Sequence, residues 1–180
     1  MSMTMLFWGR RKQVKSAARA LYEVAVGQAR DVAFYQTLSV ADSLDGRFDV
    51  LALHVFLILH RLGREGRATR ALGQALFDLM FADMDESLRE LGASDISMSR
   101  RIKTMVKAFF GRIAAYERGL TDSAAMKDAL ERNLYRGGTV EPAVVAAMER
   151  YLRLQAESLA AQPLADLEAG VVIFGPPELP

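Results

Sequence analysis

The stretch VLALHVFLILH, from Val50 to His60, is a long apolar run that is interrupted only by His54. It is too short to span a bilayer, because a transmembrane helix needs about 20 apolar residues. Drawn as a helix, it carries apolar side chains on nearly every side, which is typical of a helix surrounded by other helices. The stretch therefore predicts the central helix of a bundle, with Asp45 as its N-cap and its end at Gly63.

Five further segments on either side of this stretch carry apolar side chains at helical spacing. No alternating strand pattern accompanies them, so we expect an all-α fold, a single compact bundle of about six helices with short loops. Thr121-Asp122 and Pro142 have the residue types that favour helix starts, and Gly92 is placed to end a helix. The five segments run from about Val14 to Asp31, Arg67 to Leu91, Ser97 to Tyr116, Asp122 to Gly137 and Pro142 to Leu159.

The two ends of the chain differ in composition from the helical middle. We expect a mobile apolar and basic segment over 1–12, a helical domain over 13–162, and a tail over 163–180 that holds four of the five prolines. The tail is expected either to pack as an irregular strap or to stay mobile, with residues 170–174 in an extended conformation. The start of the chain does not have the charge order of a signal peptide, so we expect a cytoplasmic protein.

The overall composition is that of an ordinary globular domain, with 180 residues, a net charge of +1, 51% hydrophobic and 25% charged residues. The chain has no cysteine. Disulfides, thiolate zinc sites and cysteine nucleophiles are therefore excluded.

The sequence contains no arrangement that favours catalysis. His54 and His60 point about 240° apart on one helix, so they cannot share a metal, and a buried, hydrogen-bonded His54 is expected. No G-x-S-x-G motif, P-loop or dinucleotide-binding motif is present. We expect no enzyme activity and no cofactor. The alternative is an isoprenoid-type enzyme that binds magnesium through the DxxxD spacing of Asp45 and Asp49.

Three features of the sequence are compatible with binding surfaces. Residues 100–118 contain six cationic residues and one acidic residue, a local net charge of +5, which fits either a solvated helix face or a patch for RNA phosphates or anionic lipids. Residues 6–8, Leu-Phe-Trp followed by cations, suggest weak contact with an anionic membrane. Methionines on the helix stripes fit either a core or an adaptable groove for another protein's helix.

Three stretches together resemble the ubiquinol–cytochrome c chaperone family. They are DSLDGRFDVLALHVFLILHRL (42–62), QALFDLMFADMDESLRELGASD (74–95) and KTMVKAFFGRIAAYE (103–117). They occur in the family's order, and the resemblance runs from about Tyr22 to Tyr135.

The resemblance implies a helical, non-enzymatic chaperone that helps to assemble respiratory complex III. Mitochondrial members bind newly made cytochrome b, act with a small partner protein and associate with the ribosome near the polypeptide exit. A chain of this length resembles a bacterial member, for which cytochrome b is the expected client. Association with the ribosome exit follows from the same resemblance, peripheral contact with the inner membrane is expected from residues 6–8, and no DNA partner is expected. An RNA- or ribosome-binding module that uses residues 100–118 is the alternative function.

Charged positions of the matching stretches, together with Tyr116 and with Arg100 and Arg101 of the basic segment, are the candidate partner contacts. They form a cluster at the start of the central helix, a mixed-charge surface on the next helix, and the basic helix. The candidates are Asp45, Arg47, Asp49, Asp83, Asp85, Arg89, Glu90, Asp95, Arg100, Arg101, Lys103, Lys107, Arg112 and Tyr116.

Overall fold

The structure is a computed structural model that describes residues 3–90 and 95–177. It consists of helices joined by short connections. Side chains are described for these residues except 3–8, 88, 95–99 and 101. No strand occurs within the described ranges. The helices there are α1 (Met3–Ala29), α2 (Ala33–Gln36), α3 (Leu44–Gly63), α4 (Arg70–Glu90), α5 (Asp95–Thr121), α6 (Ser123–Asn133), α7 (Pro142–Ala161) and α8 (Leu164–Glu168). The all-α fold and its six long helices are confirmed, whereas the short α2 and α8 were not predicted.

The apolar run that begins at Val50 forms the middle of α3, which packs against α1, α4, α5 and α7. Between Val50 and Ile58 every residue except Leu51 is buried. Burial of a large aliphatic side chain stabilises the fold by about 1.5–3 kcal/mol, so this helix supplies much of the core. The prediction of a central helix ending at Gly63 is confirmed.

The start of α3 differs from the prediction. Its N-cap is Ser43, whose backbone is extended and whose hydroxyl accepts a hydrogen bond from the Gly46 amide at 3.1 Å. Asp45 instead lies within the first turn, where the helix dipole favours a carboxylate. The assignment of Asp45 as the cap was wrong because both residue types cap helices and lie two positions apart.

Other helix ends follow the sequence closely. The Asp122 carboxylate caps α6 by accepting hydrogen bonds from the Ala124 and Ala125 amides, and Pro142 occupies the first turn of α7. Both predictions are confirmed. Gly92, the predicted end of the third long helix, lies outside the described residues.

His54 lies in the core beneath α7. Its Nδ1–H donates to the Val50 carbonyl at 2.8 Å, and its Nε2 accepts from the Tyr151 hydroxyl at 2.8 Å. Burial lowers the pKa of His54 to about 4, so the ring is neutral at physiological pH. The prediction of a hydrogen-bonded core histidine is confirmed.

The tail packs against the bundle. After α8, residues 170–177, which we name the strap, run without regular secondary structure across α1 and α7. Gly170 has a φ of +88°, and a Cβ there would lie 2.8 Å from the Ala20 Cβ. Gln155 of α7 and Gln162, the C-cap of that helix, bond the backbone of Gly175 and Ile173. The Phe174 ring lies 5.0 Å from the His54 ring. Of the two predicted states of the tail, the structure has the packed one.

Residues 3–12 form the first turns of α1, while the mobility of segment 1–12 stays a prediction. The side chains at 6–8 lie outside those described. Within 3–90 and 95–177, no helix combines the length and apolarity that a bilayer span requires.

Candidate functional site

A groove of about 590 Å³ lies beside α3. Side chains from α1, α3, α4 and α5 line it, together with Tyr35 of α2 and Arg136, which follows α6. The volume falls within the range of sites that bind a ligand or a few side chains of a partner. Several of the charged residues highlighted by the sequence meet at this groove.

The apolar surface of the groove centres on a ridge along α3. Leu44, Phe48 and Leu51 follow the i, i+4, i+7 spacing, so they share one face of the helix. Leu44 is 54% exposed, while Phe48 and Leu51 are half-buried. Met84 of α4 and Met105 of α5 continue this surface. Because methionine repacks readily around different shapes, the surface can adapt to a varied apolar partner.

Arginines dominate the charge of the groove. Arg30, at the end of α1, and Arg100, near the start of α5, are exposed and form no ion pair with a described residue. Arg47 pairs with Asp42 at 2.6 Å, but both side chains are more than half exposed, so the pair contributes little stability. The rim is therefore rich in cations that a partner can reach.

A buried ion pair supports the wall of the groove between α3 and α5. The Asp49 carboxylate is 1% exposed; Arg112 lies 2.8 Å from its Oδ1 and Arg136 lies 2.9 Å from its Oδ2. The Arg112 contact is close but is not aligned as a hydrogen bond, whereas Arg136 donates one. Burial raises the pKa of Asp49, against the lowering effect of both arginines. The Arg112 guanidinium also lies 5.8 Å from the centre of the Phe48 ring, in cation–π range.

Arg136 joins Asp45 to the same network. Its Nη1 donates to Asp45 at 3.1 Å while its Nε donates to Asp49. The backbone of Arg136 has a φ of +54°, a conformation that is uncommon for a residue with a side chain. The two carboxylates of the DxxxD spacing thus bind an arginine. Within the described residues no three acidic or histidine side chains cluster as metal ligands.

Asp83 of α4 lies at the edge of the groove that faces α1. The Tyr22 hydroxyl donates to its carboxylate at 2.7 Å. Burial and this hydrogen bond to an anion raise the pKa of Tyr22, so the tyrosine stays a neutral donor. The contact ties α1 to α4 and fixes the position of one acidic group at the groove.

The structure brings together only part of the predicted contact set. Asp45, Arg47, Asp83, Arg100 and Arg112 line the groove, and Asp49 lies behind its wall. The remaining candidates are elsewhere. On α4, Asp85 pairs with Arg89 at 2.9 Å, and Glu90 is exposed at the end of the helix. On α5, Lys103 and Lys107 are exposed, whereas Tyr116 is 2% exposed in the core. The side chains of Asp95 and Arg101 lie outside those described.

Sequence reasoning missed two groove residues, Arg30 and Arg136. Arg30 follows the end of α1 and precedes the three stretches that carry the resemblance. Arg136 follows the end of α6 and comes after those stretches. Arg136 comes 87 positions after Asp49, and no local spacing connects the two. The sequence Arg136-Gly137-Gly138 predicts a turn, but it does not indicate which residue the Arg136 side chain binds.

The chain is similar in sequence and in structure to known proteins. The chain is 34% identical to a structure described as the Cbp3 homolog from Brucella abortus, with a TM-score of 0.85 and 97% of each chain covered. It is 26% identical over 148 residues to ubiquinol-cytochrome-c reductase complex assembly factor 1 of Xenopus laevis, covering 82% of this chain and 74% of that protein. The Drosophila melanogaster protein of that name is 27% identical over 157 residues, covering 84% of this chain and 61% of that protein.

The model of the ubiquinol-cytochrome C chaperone family matches residues 36–174, well over half of the chain. The resemblance read from the sequence stopped at about Tyr135, which was too early. The family match continues through α7 and into the strap, both of which pack on α3. The chain therefore belongs to the ubiquinol-cytochrome C chaperone family.

Proposed function

We propose that this protein is a non-enzymatic chaperone for respiratory complex III, and that it binds newly made cytochrome b through the groove beside α3. The observation that carries the proposal is an open apolar ridge bordered by arginines on a chain of this family. A chaperone of this kind needs apolar surface that accepts a helical client, and it needs no nucleophile or metal.

The groove supports a holding role because its apolar surface is adaptable and reachable. Leu44 is 54% exposed and Met105 is partly exposed, while Met84, 9% exposed, lines the groove from the core. Covering such surface with a client helix gains about 25 cal/mol per Å² of apolar area removed from water. The buried network around Asp49 holds the wall in place without filling the groove.

The role in complex III assembly is tested by deleting the gene and measuring assembled complex III together with the haem bound to cytochrome b. We expect both to fall while the level of an unrelated respiratory complex is unchanged. Complementation with the natural gene should restore them. Normal complex III and cytochrome b haem in the deletion strain would refute the assembly role.

The client contact is tested by capturing the protein from cells that synthesise cytochrome b and probing for that subunit. We expect recovery of cytochrome b before haem insertion and loss of recovery when Leu44→Glu places a charge on the exposed part of the ridge. Leu154→Glu, an equivalent change at a 40% exposed leucine of α7, serves as the control. Equal recovery with both variants would exclude the groove as the client site.

A second candidate is association with the ribosome through α5. Lys103, Lys107 and Arg118 are exposed on this helix and form no ion pair with a described residue, although Arg112 is occupied by Asp49. RNA binding through such cations would weaken steeply with salt and would be lost in Lys103→Glu/Lys107→Glu. Binding that is insensitive to salt would remove this candidate.

A further inference from the structure

We propose that the groove selects an amphipathic α-helix whose apolar stripe is flanked by carboxylates, and that Arg30 and Arg100 recognise those carboxylates. The proposal rests on the proposed function for the identity of the client. It adds the chemical character of the client segment and assigns a specificity role to two residues.

Unpaired positive charge remains in the groove, whose lining contains five arginines and two aspartates. Three of the arginines have acidic partners: Arg47 pairs with Asp42, Arg112 with Asp49, and Arg136 with Asp45 and Asp49. The other two, Arg30 and Arg100, are exposed and form no ion pair with a described residue. Asp83, the second aspartate of the lining, accepts a hydrogen bond from Tyr22, so two unpaired cations face one such carboxylate.

These two arginines lie on different helices of the bundle or directly beside them. Arg30 directly follows the end of α1, and Arg100 lies in the first two turns of α5. Both helices pack against α3 and α4. The two cations thus stand on different walls of one groove, with the apolar surface of α3 and α4 between them. A segment lying on that surface passes within reach of side chains as long as arginine from both walls.

The apolar surface of the groove has a shape that fits a helix. Leu44, Phe48 and Leu51 form a ridge about 10 Å long on α3, given the rise of about 1.5 Å per residue. On α5, Thr104 and Ala108 lie one turn apart and contribute small side chains to the lining of the groove. Helices pack by fitting ridges of side chains into grooves, so small side chains leave room for those of an added helix. An apolar stripe at i, i+3, i+4 and i+7 would cover this ridge.

Carboxylates are the matching polar groups at the border of that stripe. The guanidinium group binds a carboxylate through two parallel hydrogen bonds, a geometry that arginine offers and lysine does not. An RNA backbone would supply anions but no apolar stripe to cover Leu51 and Met105. A client helix with glutamate or aspartate beside its apolar residues satisfies both parts of the groove.

The test uses the full chain and three labelled synthetic peptides of about five helical turns. All three share one leucine stripe, and the positions beside the stripe are Glu, Gln or Lys. Fluorescence anisotropy at low salt should rank them Glu tightest, Gln next and Lys weakest. Arg30→Gln and Arg100→Gln should each weaken the Glu peptide about two- to fivefold, as expected for partly exposed ion pairs.

Charge reversal gives the decisive comparison. Arg30→Glu/Arg100→Glu should invert the ranking so that the Lys peptide binds best, while Arg67→Glu, an exposed arginine outside the groove, should leave the ranking unchanged. Thermal melts check that each variant is folded. Equal affinity for the three peptides, or an unchanged ranking in the double variant, would overturn the proposal. So would failure of all peptides alongside binding of phosphatidylglycerol vesicles that the double variant loses.

The peptide experiment and the deletion experiment test two separate claims, and either claim can be refuted without the other. If the Glu peptide is selected but deletion of the gene leaves complex III unchanged, the specificity of the groove stands and the assignment of its client is wrong. If complex III is lost in the deletion strain but the peptides are not distinguished, the assembly role stands and the selection of carboxylates is wrong.

Discussion

Arg112 of α5 lies 2.8 Å from the carboxylate of Asp49 on α3, and the two side chains are only 15% and 1% exposed. The pair joins two helices that line the groove, at a point where neither charge is well hydrated. Removing one member of such a pair leaves the other charge desolvated, which costs more than the pair itself contributes.

Arg112→Met should therefore lower the free energy of unfolding by about 2 kcal/mol. This loss is smaller than that for a buried charge left with no partner, because Arg136 still neutralises Asp49. Denaturant titration measures the change. Arg118→Met, an exposed position on the same helix, is the control and should change stability by less than about 0.5 kcal/mol. Equal stability of the two variants would show that the buried pair does not hold α3 to α5.

The buried His54 predicts a specific dependence of stability on pH. Its pKa is about 4 in the folded state against 6.5 when exposed, so the unfolded chain binds more protons between these values. The stabilising contribution of the neutral ring is complete above pH 6.5 and is lost as the pH falls toward 4, by on the order of 3 kcal/mol. His54→Gln should remove this part of the pH dependence. Parallel stability curves for the variant and the natural protein between pH 4 and 6.5 would contradict the assignment.

The strap depends on two glutamines, Gln155 of α7 and Gln162 at the C-cap of that helix. The Gln162 amide donates to the Ile173 carbonyl at 2.8 Å and accepts from the Ile173 amide at 2.9 Å. Gln162→Ala should accelerate hydrogen exchange at the Ile173 amide about fivefold, since one hydrogen bond contributes about 1 kcal/mol to local protection. Gln74→Ala on α4, where the side chain bonds only Asp78, is the control. An unchanged exchange rate at Ile173 would show that other contacts hold the strap.

Two glycines of α5 should respond to alanine in opposite directions. A Cβ at Gly119 would lie 2.8 Å from the Met126 Cα, so Gly119→Ala forces α6 away and should lower the free energy of unfolding by about 1–3 kcal/mol. A Cβ at Gly111 meets nothing within 4 Å, so Gly111→Ala should raise it by about 0.5–1 kcal/mol. Thermal melts of both variants make the comparison. The same direction of change in both would contradict the close packing of α5 on α6.

The long helices could be predicted because their information is local. The 3.6-residue spacing of apolar side chains, Asp122 as a cap and Pro142 in a first turn act within a few residues. The cap of α3 shows the limit of this reasoning. Ser43 and Asp45 both suit the position, and the choice of Ser43 depends on the extended backbone before the helix.

The groove could be predicted only in its parts. The sequence indicated the charged cluster around Asp45 and the methionines, but not that Arg30 and Arg136 join them. Arg30 and Arg136 reach the groove only when α1 and the turn after α6 fold against α3. The sequence separations between these elements are too long to leave a periodic pattern. The burial of Tyr116, which was proposed as a partner contact, likewise depends on how α5 is rotated against its neighbours.

The most direct test of the account is site-specific crosslinking in cells that assemble complex III. A photoreactive residue at position 44, exposed within the groove, should crosslink newly made cytochrome b, whereas one at position 154, exposed on α7 away from the groove, should not. Crosslinks to cytochrome b from position 154 but not from position 44 would contradict the claim that the groove beside α3 holds the client.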